Sequence, residues 1–349
     1  MSRCIQLARN GFYGAAPNPM VGAVIVHDGK IIGEGYHVRC GGPHAEVNAV
    51  RSVRNPELLK ESTIYVSLEP CSHYGKTPPC ADLIVEKGIP RVVVGCMDQF
   101  AKVAGIRKLQ EAGIEVTVGV LEAECLALNR RFITFHTHHR PYITLKWAES
   151  ADGFMDSLRT DYEKEKPYAF STPYTRMLVH RCRAEHQAIL VGRQTALADN
   201  PSLNLRMWPG KSPLRLVMDR RGDLPGHLAL FNDGAETRVY LDVLSVLPPY
   251  GKQAGVTCVR LDFSRDILLQ ILDDLYRLSV QSLLVEGGHR LLESFISAGL
   301  WDEIRVEQSP VFLKEGVPSP SWPHGRIRTT EVEGHLLVHI LSSRGSSAV

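Results

Sequence analysis

No run of eighteen or more apolar residues occurs in this 349-residue chain, so no membrane-spanning helix is expected. No long basic run occurs either. The 40 basic and 38 acidic side chains nearly cancel to a formal net charge of +2, and the electrostatic footprint of a nucleic-acid binder is missing. The G-x-G-x-x-G fingerprint of a Rossmann dinucleotide site is absent. The opening residues, Met1 to Arg9, are too polar for the apolar core of a secretory signal. Of the eight cysteines, Cys4, Cys40, Cys96, Cys125, Cys182 and Cys258 are scattered without paired spacing. That pattern predicts reduced, inert thiols and a cytoplasmic chain. What remains is an ordinary globular composition, 44% hydrophobic and 22% charged, over a length that suggests two domains.

The other two cysteines, Cys71 and Cys80, follow His44-Ala45-Glu46 and close the loop Cys71-Ser72-His73-Tyr74-Gly75-Lys76-Thr77-Pro78-Pro79-Cys80. One imidazole and two thiolates are ligands that Zn²⁺ prefers. Three protein ligands leave a fourth tetrahedral position for water, whose pKa the metal lowers to about 7. Glu46, two residues after the histidine, is the natural proton carrier. A structural zinc is the competing reading, with His73 closing the fourth position. The order H-x-E, then P-C and a second Cys, is the signature of zinc nucleobase deaminases.

The loop of eight residues between the cysteines resembles the deaminase half of the bifunctional riboflavin-biosynthesis deaminase/reductase family. Further motifs carry the resemblance along the chain: Ala16-Pro17-Asn18-Pro19-Met20-Val21-Gly22, Leu68-Glu69-Pro70-Cys71, Leu145 to Gly153, Asp199 to Arg206, and Val285-Glu286-Gly287-Gly288. The chain departs from it at Asp98-Gln99-Phe100-Ala101, where many members carry Asp-Pro-Asn-Pro. It departs again at Ala169-Phe170-Ser171, where some carry a tryptophan, and at Arg220, where a serine is sometimes found.

Local patterns give an α/β chain. Asp28-Gly29 marks a hairpin between residues 21–26 and 30–35. Helices are expected at 44–53, 78–87 and 102–112, with strands at 63–67, 91–95 and 115–118, hence a largely parallel sheet. Residues 121–136 read as one long amphipathic helix. The basic cluster His136, His138, His139 and Arg140 suits its C-terminal dipole better than a metal. Pro141 marks the expected boundary between domains 1–140 and 141–349. The second series places strands at 142–146, 188–191, 214–218, 238–241, 257–260 and 282–285. Helices are expected at 172–185, 267–278 and 288–298, and residues 158–167 read as a mobile loop.

The resemblance implies a cytidine-deaminase-like three-layer α/β/α domain followed by a dihydrofolate-reductase-like α/β domain. It implies zinc on His44, Cys71 and Cys80, with Glu46 catalytic. Asn18, His73, Lys76 and Thr77 would contact a phosphorylated pyrimidine. In the second half it implies NADPH along Ala148, Thr195, Asp199, Gly288, His289, Arg290, Leu291, Leu292, Glu293 and Ser294. Arg183, Leu203, Arg206 and Glu286 would contact substrate there, and Lys146 would hold or protonate a ribose oxygen. Read from residues alone, Asp199 is nearly as well explained as a helix-end or turn residue before Pro201. The expected reaction is deamination of 2,5-diamino-6-(5-phosphoribosylamino)pyrimidin-4(3H)-one, then reduction of its ribosyl group to ribityl. No nucleic acid and no membrane are expected as partners, and a homo-oligomer is the expected assembly. The alternatives are a deaminase with a non-catalytic second half and a zinc-stabilised binding module.

Overall fold

The computed structural model describes residues 1–72, 74, 78–98, 104–162 and 164–343. The chain divides into two compact units, Met1–His139 and Arg140–Val349. Each has its own core.

The first unit runs α1 (Ser2–Arg9), β1 (Gly22–His27), β2 (Lys30–Tyr36), α2 (Ala45–Ser52), β3 (Thr63–Leu68), α3 (Cys80–Glu86), β4 (Arg91–Cys96), α4 (Gly105–Glu111), β5 (Glu115–Val118), α5 (Glu122–Leu128) and α6 (Arg130–His138). Among the described residues its strands lie in the order β2-β1-β3-β4-β5. Asp28 and Gly29, both at positive φ, make the expected hairpin turn. The sheet is mixed, which corrects the expectation of a largely parallel one: β1 is antiparallel to both β2 and β3, and only β3-β4-β5 are parallel. The hairpin puts β1 inside, and the passage through α2 returns β3 beside β1 in the opposite direction.

Strand alternation feeds two helical layers. Ala23, Ile25, Ile64, Val66, Val92 and Val94 face Ala45 and Ala49 of α2, Ala81 and Ile84 of α3 and Leu109 of α4. On the other face, Val24 meets Cys4 and Leu7 of α1, while Leu68 and Cys96 meet Ile5 and Cys125. Three layers result, as the resemblance implied. The single helix expected over 121–136 is two, broken at Asn129. The buried Asn129 amide takes the N–H of Met20 at 2.8 Å and donates to its carbonyl at 2.9 Å. That bidentate grip on a distant segment fixes a bend that helical periodicity does not reveal.

The second unit runs β6 (Tyr142–Glu149), β7 (Phe154–Asp156), α7 (Pro173–Ala184), β8 (Ala188–Val191), α8 (Arg193–Asp199), β9 (Leu214–Met218), β10 (Thr237–Asp242), β11 (Val256–Leu261), α9 (Ile267–Arg277), β12 (Ser282–Val285), α10 (His289–Ser297), β13 (Glu303–Gln308), β14 (Val317–Pro318), β15 (Arg326–Val332) and β16 (His335–Leu341). Its main sheet has the order β11-β10-β9-β8-β12-β6-β13-β16-β15, parallel through β13 and antiparallel at the last two pairs. Residues such as Leu190, Leu216 and Leu283 face α9 and α10, whereas Ile189, Val217 and Leu284 face α7 and α8. The described residues of segment 158–167, read as a mobile loop, are irregular but anchored. Arg159 is nearly buried and reaches Asp156, Asp199 and the carbonyl of Ala198.

Candidate active sites

In the first unit three segments converge. His44 is the N-cap of α2, Cys80 opens α3 and Cys71 lies in the loop after β3. His44 Nδ1 is 3.5 Å from Cys71 Sγ and 3.3 Å from Cys80 Sγ, and all three ligand atoms lie within 4.8 Å of one another. Zn–N and Zn–S bonds of about 2.0 and 2.3 Å at tetrahedral angles put such atoms about 3.5 Å apart. The donor set therefore fits zinc in both chemistry and size. Among the described residues no fourth Cys, His, Asp or Glu joins the group, and the basic cluster at the end of α6 forms none. The backbone N–H of Cys80 points to Cys71 Sγ at 3.3 Å. Hydrogen bonds from Cys80 and from His44 hold the Cys71 thiol well below its ordinary pKa.

Glu46 lies in the first turn of α2, 3% exposed, and burial raises its carboxyl pKa. That helix packs against β2 so closely that a Cβ on Gly35 would stand 2.3 Å from the backbone nitrogen of Ala49. Asn18 reaches the same neighbourhood through a residue that sequence reasoning missed. Its Nδ2 donates to His37 Nε2 at 3.1 Å, His37 Nδ1 donates to the Pro43 carbonyl at 3.1 Å, and the His37 ring stands edge-on to His44 at 5.4 Å. Burial lowers the His37 pKa, and only a neutral ring can accept from Asn18. No spacing singles out His37, a lone histidine after a strand. His73, Lys76 and Thr77 lie outside the described residues, as do Gln99 to Val103.

Glu69 braces the metal loop. Its carboxylate accepts from the N–H groups of Asp98 at 3.3 Å and Ile106 at 3.1 Å, and Ser72 Oγ accepts from Ala104 N at 3.0 Å. Gly105 sits so close that a Cβ there would stand 1.9 Å from the Pro70 carbonyl. The glycine is required by this approach.

In the second unit a cleft of about 1210 Å³ opens over the carboxyl ends of β6, β8, β9 and β12. Lys146, Ala148, Thr195, Asp199, Glu286, Gly288, His289, Arg290, Leu291 and Ser294 all line it. Gly288 caps α10, so that helix's free N–H groups face the cleft. Arg176, Arg193, Arg220 and Arg290 add positive charge to its walls. A polyanionic dinucleotide such as NADPH fits this lining.

The remaining predicted contacts lie elsewhere. Leu292 is fully buried in the core, Glu293 faces Ser297, and neither lines the cleft, because successive helical residues point different ways. Leu203 is 2% exposed, packed under β8 and β9 at positive φ, so its side chain is core. Arg183 is spent on Glu286, with hydrogen bonds of 3.0 and 2.7 Å. Arg206 bonds Asn204, and its backbone N–H reaches His180 Nδ1 at 3.4 Å. Asp199 closes α8 and pairs with Arg159, so it is both a helix-end residue and a cleft residue. The departures Phe170, Ser171 and Arg220 line the cleft as well.

Comparison with known proteins agrees with this geometry. Residues 1–96 match the cytidine and deoxycytidylate deaminase zinc-binding region, and residues 141–331 match the RibD C-terminal domain. The riboflavin biosynthesis protein RibD of Aquifex aeolicus is 40% identical over 321 residues, covering 91% of this chain and 88% of its own. RibD of Escherichia coli is 36% identical over 338 residues, covering 90% and 87%. The crystal structure of a diaminohydroxyphosphoribosylaminopyrimidine deaminase/5-amino-6-(5-phosphoribosylamino)uracil reductase from Thermotoga maritima superposes with a TM-score of 0.86. It is 36% identical and covers 98% of this chain and 97% of its own. Two domain matches in sequence order and relatives of this identity over nearly the full length lead to one conclusion: the chain belongs to the RibD family of riboflavin biosynthesis proteins.

Proposed function

We propose that this enzyme deaminates 2,5-diamino-6-(5-phosphoribosylamino)pyrimidin-4(3H)-one in domain 1–140. Domain 141–349 then reduces the ribosyl group of the product to ribityl with NADPH. The observation that carries the reading is the convergence of His44, Cys71 and Cys80 with the buried carboxylate of Glu46 on the adjoining turn.

His44, Cys71 and Cys80 hold zinc, which when bound makes a water acidic at neutral pH. Glu46 takes one proton of the attacking water and passes it to the ring nitrogen beside the reacting carbon, then carries the second, from the hydroxyl so added, to the departing amine. A carboxylate kept from bulk water by burial shuttles such protons without losing them to solvent. Asn18, held by His37, offers its amide to the pyrimidine edge.

In the second domain bound NADPH supplies the reducing equivalents. The α10 N-terminus and the cleft arginines hold its phosphates, and Lys146 holds the ribose oxygen beside Glu286. Arg183 and Arg206 act through Glu286 and the 203–206 loop, because their side chains do not line the cleft. Cytoplasmic location and a homo-oligomer complete the proposal. None of the eight cysteines is joined in a disulfide, which suits a reducing compartment.

The test is Glu46→Gln. It should keep its zinc by elemental analysis and lose deamination by about 10²- to 10⁴-fold, the usual weight of a general acid–base group. A zinc-loaded variant that still deaminates at the wild-type rate would remove Glu46 from the mechanism.

A further inference from the structure

Ser171 lines the reductase cleft next to the departure Ala169-Phe170. Its Oγ donates to Glu307 Oε2 at 2.6 Å. Glu307 is 4% exposed, on β13, paired in register with Ala148 of β6. Its other oxygen, Oε1, faces His335 Nδ1 at 3.0 Å, and His335 is itself 5% exposed. The next residue, Thr172, caps α7 and donates to Glu333 at 2.5 Å. Two carboxylates thus fix the segment that enters α7.

A serine hydroxyl has one proton and two acceptor lone pairs. Here the proton is committed to a carboxylate that lies behind the cleft wall. What Ser171 offers a ligand is therefore acceptance only. An ammonium or a hydroxyl can satisfy it, but a phosphate or carbonyl oxygen cannot. The phosphates of the cofactor are served by arginines and a helix N-terminus. Donor hydroxyls lie on the substrate's sugar chain and on the riboses of NADPH, and separate titration of the two ligands tells which of them Ser171 meets.

We propose that Ser171 orients the substrate by accepting a hydrogen bond from a sugar-chain hydroxyl, and that Glu307 is the positioning residue that keeps Ser171 an acceptor. The proposal rests on the reductase reading above. Glu307→Gln keeps the shape but can donate to Ser171, which lets the serine proton turn into the cleft and meet the ligand donor head-on.

The experiment is a double-mutant cycle with Ser171→Ala and Glu307→Gln on the full-length enzyme. It is read by steady-state reduction of 5-amino-6-(5-phosphoribosylamino)uracil and by fluorescence titration of NADPH. Ser171→Ala should raise KM for the uracil by about 3- to 10-fold, the effect of one neutral hydrogen bond, with a smaller change in kcat. Glu307→Gln should raise KM in the wild-type background and add nothing in the Ser171→Ala background, as expected of residues acting through one contact. An unchanged KM for Ser171→Ala, a loss confined to NADPH affinity, or an additive cycle would each overturn the proposal. A folded wild-type enzyme that binds NADPH but never reduces the uracil would instead overturn the reductase reading, and this proposal with it.

Discussion

At the scale of single residues, the metal ligands could be read directly because their chemistry is local. His44 and Glu46 are two positions apart, and the loop from Cys71 to Cys80 declares itself by residue type. His37, Glu69, Ser171 and Glu307 could not be read this way, since each gains meaning from a partner 19 to 136 positions away. Arg183 and Glu286 fall between. Both stand out in the sequence, but their mutual ion pair appears only when α7 meets the end of β12. Burial pushes the Glu286 carboxyl up, and Arg183 outweighs it and holds the pKa below the ordinary value. Arg183→Ala should thus strand a buried carboxylate and cost about 3–5 kcal/mol in urea unfolding of the second unit. Arg183→Lys should recover only part of this, for want of the planar fork.

His180 gives a pH dependence. It is 1% exposed, and burial followed by the charges of Arg183 and Arg206 lowers its pKa to about 4. The folded state therefore refuses a proton that the unfolded chain accepts below about 6.5. Its contribution is full above that value and is lost as pH falls toward 4. Denaturant midpoints of the second unit should drop over this window. His180→Gln should flatten the drop, and an unaltered profile would rule out His180 as its source.

At the scale of elements, hairpins, strands and capped helices were legible wherever burial follows a period. The Asp28-Gly29 turn, the helix expected from residue 172 and the apolar strands β8 and β12 are of this kind. The strand β13 escaped because it carries Glu303, Arg305 and Glu307, which normally mark a solvated surface. Glu303 is fully buried yet satisfied by Tyr142, Arg305 and His339. Such compensation comes from neighbouring strands and leaves no local pattern. The break at Asn129 has the same origin. Asn129→Ala should remove two hydrogen bonds to Met20 and leave its amide groups unpartnered, for a loss of about 1–3 kcal/mol. It should also raise KM in deamination by loosening the segment that carries Asn18. Thermal melts and substrate saturation curves measure the two effects.

At the scale of the whole molecule, two cores that do not share residues predict independent folding. Residues 1–139 and 140–349 produced separately should each unfold cooperatively in calorimetry. Only the first fragment should lose stability when zinc is stripped by a chelator. Destabilisation of the second fragment by the same chelator would contradict this division of labour.

The grip of Asn129 on Met20 also has a consequence for a chain still being made. The three ligands have all left the ribosome once Cys80 is out, whereas the clasp that steadies the 17–20 segment waits for residue 129. Metal capture can precede completion of the substrate pocket. A nascent chain arrested after residue 106, where the brace on Glu69 is complete, and before residue 129 would carry its ligand set and yet bind substrate only weakly.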